Sequence, residues 1–193
     1  MRPFMTVLLA LTLVVSAFAT DYTITSGYYY DPKIYQNDDT LLMTGGGGYS
    51  FTGEDYSFLD IRNTSPLAVL SGGIWSLIVT DYSQLSLSGG QIRRLDIGDH
   101  AAAIISGGQI NQLASGYYPS TRAWINIICQ TYNYNATTKI LTGTWADSSA
   151  FNTQLIDIDG HVSTYSVMKF TIIPEPATLL LLGIGGLLFR RRK

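Results

Sequence analysis

The chain has 193 residues, a formal net charge of −2 and a single cysteine, Cys129, which excludes an internal disulfide. Residues 20–173 hold seven Lys or Arg against 13 Asp or Glu, a net charge of −6, because Arg2 and the last four residues carry the other basic side chains. An acidic domain repels phosphate groups, which argues against nucleic acid as a partner.

The first 19 residues have the features of a signal peptide. A positive charge at Arg2 precedes an apolar stretch over residues 7–15, and Ala17 and Ala19 form the A-x-A pattern that signal peptidase cleaves. We therefore predict that residues 1–19 are removed by signal peptidase and that the remainder is exported. The alternative is an N-terminal membrane anchor, but the apolar stretch is shorter than the roughly 20 residues that a span needs.

Residues 20–58 are rich in tyrosine and glycine and only weakly periodic. We predict a β segment of one or two irregular strands that leads into the following repeats. The three consecutive tyrosines at 28–30 have two interpretations. They either alternate across an edge strand or form an exposed platform that packs on sugar rings.

Residues 59–116 contain a repeat. Leu59, Leu77, Leu95 and Leu113 recur every 18 residues, and the pattern Ser-Gly-Gly followed by Ile-x-x-Leu recurs between them. A fixed short period with alternating apolar residues and glycine corners is typical of a β-solenoid, in which each coil buries its inward side chains only against its neighbours. We predict an all-β protein built around a short β-solenoid of about three such coils.

Glycine pairs mark one corner of the predicted coils: Gly72-Gly73, Gly89-Gly90 and Gly107-Gly108. Glycine adopts positive φ without steric cost, so we expect the pairs to supply such conformations. A phosphate-binding loop is the alternative, but the chain lacks the Gly-Lys-Ser/Thr sequence and the helical stretch that should follow it.

Stacking of the coils should bring polar residues into columns. The predicted columns are Ser71, Ser88 and Ser106 in one case and Asp81 and Asp99 in the other. With roughly 4.8 Å between strands, either column has the regular spacing to bind an extended ligand, although polar corners also keep any solenoid soluble. Asp60 and Asp96 each lie between two inward residues, which predicts that both face solvent on one sheet.

Residues 117–171 lose the period and predict ordinary strands, with a turn at "NATTK" and a β-hairpin cap around residues 142–147. A solenoid needs such a cap because its last coil otherwise exposes an apolar face and an unpaired edge.

Cys129 lies among apolar and β-branched residues in "WINIICQTY", which favours a buried small hydrophobe over a nucleophile. A nucleophile needs a base, and neither His100 nor His161 lies in a motif that would position one. The sequence also contains no cluster with recognisable metal-ligand spacing.

Residues 172–193 form the last segment. Its three parts are the motif Pro174, Glu175 and Pro176, an apolar run from Ala177 to Phe189, and the basic end Arg190, Arg191, Arg192 and Lys193. The apolar run has 13 residues. As a helix it would be about 20 Å long, against a hydrocarbon core of about 30 Å. The run is therefore short for a permanent span, and the basic end should stay on the cytoplasmic side.

The sequence "PEPATLLLLGIGGLLFRRRK" resembles the PEP-CTERM sorting signal of bacterial surface proteins. The resemblance implies that a membrane protease-transpeptidase, the exosortase, cuts near Pro-Glu-Pro. The inner-membrane-anchored precursor would then pass to the cell envelope or extracellular matrix; an uncut tail anchor is the alternative. The segment "LTGTWADSS" is also similar to an "LTG-W-ADG" segment of such proteins, with Ser148 where glycine is expected.

A sorting tail indicates where a protein goes and not what it does there. Our first hypothesis is a non-enzymatic protein without a cofactor that has a structural or exopolysaccharide-associated role. The alternative is a β-helix polysaccharide lyase or hydrolase, for which Asp81, Asp96 and Asp99 are the first catalytic candidates. Such enzymes usually have many more coils; Ca²⁺ at the Asp corners, or Asp and Arg grouped at one site, would favour this alternative.

Overall fold

The computed structural model describes residues 19–65, 73–116 and 123–174, which form β-strands and one short 3₁₀ helix. The predicted all-β class is confirmed. The predicted signal peptide up to residue 18 and the tail from Glu175 onward lie outside the described residues. In the described part, no helix has the length and apolar character to cross a membrane.

The elements in chain order are β1 (Asp21–Ile24), β2 (Tyr28–Tyr29), β3 (Lys33–Tyr35), β4 (Thr40–Met43), β5 (Gly47–Gly53), β6 (Phe58–Ile61), β7 (Gly73–Val79), β8 (Gln84–Leu87), β9 (Gln91–Ile97), β10 (Ala102–Ile105), β11 (Gln109–Ser115), β12 (Trp124–Cys129), β13 (Thr131–Asn135), β14 (Ile140–Thr144), β15 (Ala150–Ile156), the 3₁₀ helix η1 (Thr164–Val167) and β16 (Met168–Ile172).

The strands form two sheets. Sheet A has the order β1-β4-β6-β8-β10-β12-β16, and all its pairs are parallel. Sheet B has the order β13-β14-β15-β11-β9-β7-β5-β2, with β3 also beside β5; β13, β14 and β15 pair antiparallel, and the other pairs are parallel. From β4 to β12 the chain alternates between the sheets. We call a strand of sheet A with the following strand of sheet B a coil; this connectivity is consistent with the predicted β-solenoid.

Inward side chains of both sheets form one hydrophobic core, in which residues of successive coils stack. In sheet A, Leu41 aligns with Leu59 and Leu59 with Leu85. In sheet B, Leu77 aligns with Leu95, and Leu95 with Leu113. Each fully buried leucine contributes about 1.5–3 kcal/mol relative to an exposed one, so these columns supply most of the driving force for stacking.

The predicted position of Leu59 in the repeat is wrong. Leu59 lies in sheet A, whereas Leu77 and Leu95 lie in sheet B, where the residue stacked before Leu77 is Phe51. The cause is an 11-residue connection between β6 and β7, compared with three residues between β8 and β9. The longer connection makes this coil 26 residues long and places Leu59 at an 18-residue spacing from Leu77 by coincidence.

The regular pairing starts well before residue 59. Residues 20–58 contain five strands rather than one or two. β4 already lies in sheet A and β5 in sheet B. The pattern is hard to recognise here because the inward positions are occupied by Met43, Phe51 and glycine rather than by leucine and isoleucine.

The two glycines of a corner pair have different roles. Gly90 and Gly108 have φ of +89° and +88°, as predicted, a conformation that glycine adopts far more readily than other residues. Gly107 has no positive φ, but a Cβ there would lie 2.2 Å from the carbonyl oxygen of Ser88 in the preceding coil. The first glycine is therefore required by close stacking. The second is required by backbone conformation and also by stacking, since a Cβ on Gly108 would lie 2.9 Å from the Gly90 carbonyl oxygen.

The opposite corner repeats a left-handed residue at Asn37, Asp55, Asp81 and Asp99, with φ between 49° and 56°. The amide of Asn37 donates to Oδ2 of Asp55 (3.2 Å), and the amide of Asp55 donates to Oδ2 of Asp81 (3.3 Å). The Thr80 hydroxyl donates to Oδ2 of Asp99 (2.8 Å). The predicted Asp81–Asp99 column is present, and its carboxylates tie one coil to the next.

Antiparallel strands and aromatic rings close the C-terminal end. The turn at "NATTK" is confirmed, since residues 136–139 connect β13 to β14. Tyr132 stacks on Phe170 with ring centroids 3.8 Å apart, and Tyr134 stacks on Tyr165 at 4.0 Å. The Trp145 indole donates to the carbonyl of Gly108 (2.9 Å), which fastens this segment to the last regular corner.

We expect Gly107→Ala to destabilise the protein by about 2–3 kcal/mol, because the new Cβ must push two coils apart. Gly160→Ala is the matched control: Gly160 has φ of +82° and nothing within 4 Å of a Cβ, so only backbone strain of about 1 kcal/mol applies. Urea unfolding of the exported protein measures both. Equal losses for the two variants would contradict a steric role for Gly107.

We expect Ser148→Gly to stabilise the protein by up to about 1 kcal/mol. Ser148 has φ of +67°, which a residue with a Cβ adopts at a cost, and it occupies the position where the resembling segment has glycine. Ser86→Gly in β8, where φ is not positive, should instead destabilise by about 0.5–1 kcal/mol. Thermal unfolding compares them, and destabilisation by both would show that Ser148 is not strained.

Candidate functional site: a groove on sheet B

The Ile-x-x-Leu motif places two adjacent side chains per coil on the outer face of sheet B. In β7, Ile74 and Leu77 are both buried, and Trp75 and Ser76 between them are only partly buried. Strict alternation in a strand would put only one outward residue between two inward ones. The repeated motif in β9 and β11 therefore creates two neighbouring columns of outward side chains.

The first column consists of Tyr49, Trp75, Arg93 and Asn111, of which the first three line the groove. The rings of Tyr49 and Trp75 are nearly parallel, with centroids 6.4 Å apart. The guanidinium carbon of Arg93 lies 3.5 Å from the centroid of the Trp75 ring. Tyr49 is 52% exposed, so the column presents an aromatic edge to solvent. Such a cation–π contact is worth about 0.5–1 kcal/mol at an exposed site, and it holds the Arg93 side chain in place.

The position of Tyr49 depends on a compensation in β5. Gly48 takes the place that Ile74 has in the next coil, and a Cβ on Gly48 would lie 2.6 Å from the Phe51 ring. The large Phe51 side chain therefore occupies the core space that a residue at position 48 would otherwise use. This exchange keeps the backbone in register, so that Tyr49 stacks beside Trp75.

The second column consists of Ser50, Ser76, Arg94 and Gln112, which are aligned in register across four strands. Together the two columns line an open groove of about 400 Å³. A volume of this size lies in the range of small-molecule sites. Its lining combines aromatic edges with hydroxyl, amide and guanidinium donors.

Asp96 holds the Arg94 side chain at this groove and is buried, contrary to our prediction that it faces solvent. Its carboxylate accepts hydrogen bonds from Nε and Nη2 of Arg94 (2.8–3.1 Å), and the residue is only 5% exposed. Asp60 was predicted on the same sheet, but it lies in sheet A, where it pairs with Arg62 at 2.8 Å. The error for Asp60 follows from the misplaced Leu59, whereas Leu95 beside Asp96 lies in sheet B as predicted.

The other predicted polar residues lie at corners outside the groove. Asp81 and Asp99 accept hydrogen bonds from the preceding coil, as described above. Ser88 and Ser106 follow the paired strands β8 and β10, and Ser71 lies outside the described residues. Across residues 19–65, 73–116 and 123–174, no three His, Cys, Asp or Glu side chains group as a metal site.

Cys129 is fully buried, which confirms the prediction of a small core residue. Burial raises the pKa of its thiol, so little of the nucleophilic thiolate is present. The two histidines lie elsewhere: His100 stacks on Tyr82 with centroids 4.9 Å apart, and His161 lies next to Gly116.

The tyrosines at 28–30 belong to the N-terminal end of the fold. Tyr28 and Tyr29 form β2 at the edge of sheet B, which agrees with the edge-strand interpretation for these two, whereas Tyr30 lies outside the strand and is exposed. Tyr29 also packs against Phe51, with ring centroids 6.4 Å apart, so one of these rings helps to cover the first coil.

Sequence reasoning did not identify Tyr49, Trp75 or Arg93 as site residues. The signal was available, because the two variable positions of Ile-x-x-Leu are Trp-Ser, Arg-Arg and Asn-Gln in successive repeats. Recognising it requires knowing that both positions face outward, which simple alternation does not predict.

Comparison with known families identifies the C-terminal segment. Residues 173–193 match the model of the PEP-CTERM protein-sorting motif. The chain carries a PEP-CTERM sorting signal. The resemblance inferred from the sequence is confirmed, and the signal supports an exosortase substrate that is exported as a membrane-anchored precursor and sorted to the cell surface. No significant similarity to a curated protein or to a solved structure is found.

The fold continues directly into the PEP-CTERM signal. β16 ends at Ile172, and the amide of Ile173, the first residue of the match, donates to the carbonyl of Cys129 (2.9 Å). The residue after that is Pro174 of the Pro-Glu-Pro motif. The sorting signal therefore begins while the chain is still hydrogen-bonded to β12 of sheet A.

Proposed function

We propose that this protein is a non-enzymatic component of the cell envelope or extracellular matrix, whose exported domain is a short β-solenoid that associates with polysaccharide. The observation that carries the proposal is the groove on sheet B, in a chain with a PEP-CTERM signal. The signal supports delivery to the surface, where long glycans are the abundant ligands, and the groove supplies the contact.

The groove has the chemistry that saccharides require. The faces of the Trp75 ring are covered by Tyr49 and by Arg93, so Tyr49 and Trp75 offer their exposed ring edges as apolar surface for the C–H groups of a sugar. Ser50, Ser76 and Gln112 offer hydrogen-bond partners for hydroxyl groups. The columns run from coil to coil with a spacing of roughly 4.8 Å, so the groove repeats along the direction in which a polymer would lie.

Asp96 and Arg94 do group at one site, the arrangement that we named as favouring an enzyme. The engagement of the acidic residues in structural contacts nevertheless supports a non-enzymatic role. Asp96 is buried and held by two nitrogen atoms of Arg94. Asp81 and Asp99 connect adjacent coils. Paired carboxylate chemistry on a glycosidic bond needs two acidic groups that flank a substrate, and these three residues already serve as structural partners.

Delivery through the tail is tested by the intact mass of the protein recovered from the envelope and the culture fluid of cells with and without the exosortase. We expect a species that begins at Thr20 and ends near Pro174 only when the exosortase is present. In cells that lack it, the species should retain Arg190 to Lys193. A protein that keeps these basic residues in both strains would contradict sorting by cleavage and indicate a permanent tail anchor.

Polysaccharide binding is tested by affinity electrophoresis of the exported protein in gels that contain the producing cells' exopolysaccharide. Trp75→Ala should weaken retardation at least about tenfold, because it removes the central apolar ring of the groove and the ring that supports Tyr49 and Arg93. Trp124→Ala is the matched control, since Trp124 is 41% exposed on sheet A, away from the groove. Equal effects of both variants would contradict the assignment. Release of shorter saccharides on incubation would favour the lyase or hydrolase alternative.

A further inference from the structure

We propose that the groove on sheet B recognises an acidic sugar, with Arg93 as the residue that pairs with the sugar carboxylate. This inference rests on the proposed function, because it specifies the class of glycan that the groove binds. Its basis is the different environments of two adjacent arginines.

Arg94 is electrically compensated. Its Nε lies 2.8 Å from Oδ2 of Asp96, whose side chain is only 7% exposed. The two oxygens of Asp96 accept from both Nε and Nη2, a bidentate geometry that fixes the guanidinium plane. Arg94 therefore contributes a positioned donor to the groove and little net charge.

Arg93 is in the opposite situation. It is exposed, its guanidinium lies over the Trp75 ring, and within the described residues no carboxylate lies at salt-bridge distance from it. Stacking orients a planar guanidinium while its N–H edge stays available, and that edge matches a carboxylate bidentately. Arg93 thus places an uncompensated positive charge beside an aromatic surface.

The acidic net charge of the domain indicates that the positive charge of Arg93 serves a specific contact. Residues 20–173 have a net charge of −6, so the domain as a whole repels polyanions. An acidic polymer would therefore bind only where a specific contact outweighs that repulsion. The Trp75 ring edge supplies apolar contact and Arg93 supplies a cation for the carboxylate, a combination that is suited to a uronic acid, whereas a neutral glycan offers Arg93 no negatively charged group.

The test compares polygalacturonate with its fully methyl-esterified form, two polymers that share a backbone and differ in the carboxylate charge. Binding of the full exported protein is measured by affinity electrophoresis at low salt, with neutral dextran in parallel. We expect the wild type to bind the acid form at least about tenfold more tightly than the ester. Arg93→Gln should abolish this preference, and Arg93→Lys should keep part of it, because charge remains and planar stacking is lost.

Lys169→Gln is the matched control, because it removes one positive charge from an exposed position on sheet A. It should bind both polymers like the wild type. Loss of acid binding in Lys169→Gln as large as in Arg93→Gln would overturn the inference, since it would show general charge attraction. Thermal unfolding verifies that each variant is folded.

The two proposals fail in different ways. If acid and ester bind equally, and Trp75→Ala weakens both while Arg93→Gln weakens neither, the acidic-sugar inference is overturned and glycan binding at the groove stands. If the wild type binds neither form and does not bind the producing cells' exopolysaccharide, both proposals are overturned.

Discussion

The close approach of successive coils is the constraint on which the rest of this structure depends. Each coil is too thin to bury its inward side chains alone, so every leucine and isoleucine of the core relies on the coils on either side. Backbones can approach this closely only where side chains permit it. Gly107 leaves room for the Ser88 carbonyl, and Asp55, Asp81 and Asp99 bend the opposite corner while their oxygen atoms bind the neighbouring coil.

The same constraint explains the composition of the two ends. The first and last coils lack one neighbour each, and large aromatic side chains take the place of the absent coil. At the N-terminal end Tyr35 is buried against Phe51. At the C-terminal end the hairpin β13–β14 and the ring pair Tyr132–Phe170 cover the core. Several tyrosines therefore serve to close the stack, and among the described residues Tyr49 is the tyrosine that lines the groove.

The groove also follows from stacking. Because Ile-x-x-Leu presents two outward residues per coil, its repetition produces two parallel columns of side chains. The chemistry of these columns depends only on which residues occupy the two variable positions of the motif. Trp75 and Arg93 come from consecutive coils and differ completely in character, yet they form one contact because the register places them together. A repeated backbone can thus carry different binding surfaces. The PEP-CTERM signal directs the protein to its location independently of that surface.

The sequence by itself determined the sorting signal, the all-β class, the glycine corners and the stacking of Leu77, Leu95 and Leu113, since each is written in local order and spacing. Only the tertiary structure decided that Leu59 belongs to the other sheet, that Asp96 is buried, and that a groove exists. A spacing in sequence is only the number of residues between two positions. The 11-residue connection between β6 and β7 therefore gives Leu59 and Leu77 the spacing of the repeat although they lie in different sheets. Burial and binding surfaces depend on residues from different coils, whose proximity is set by register in space.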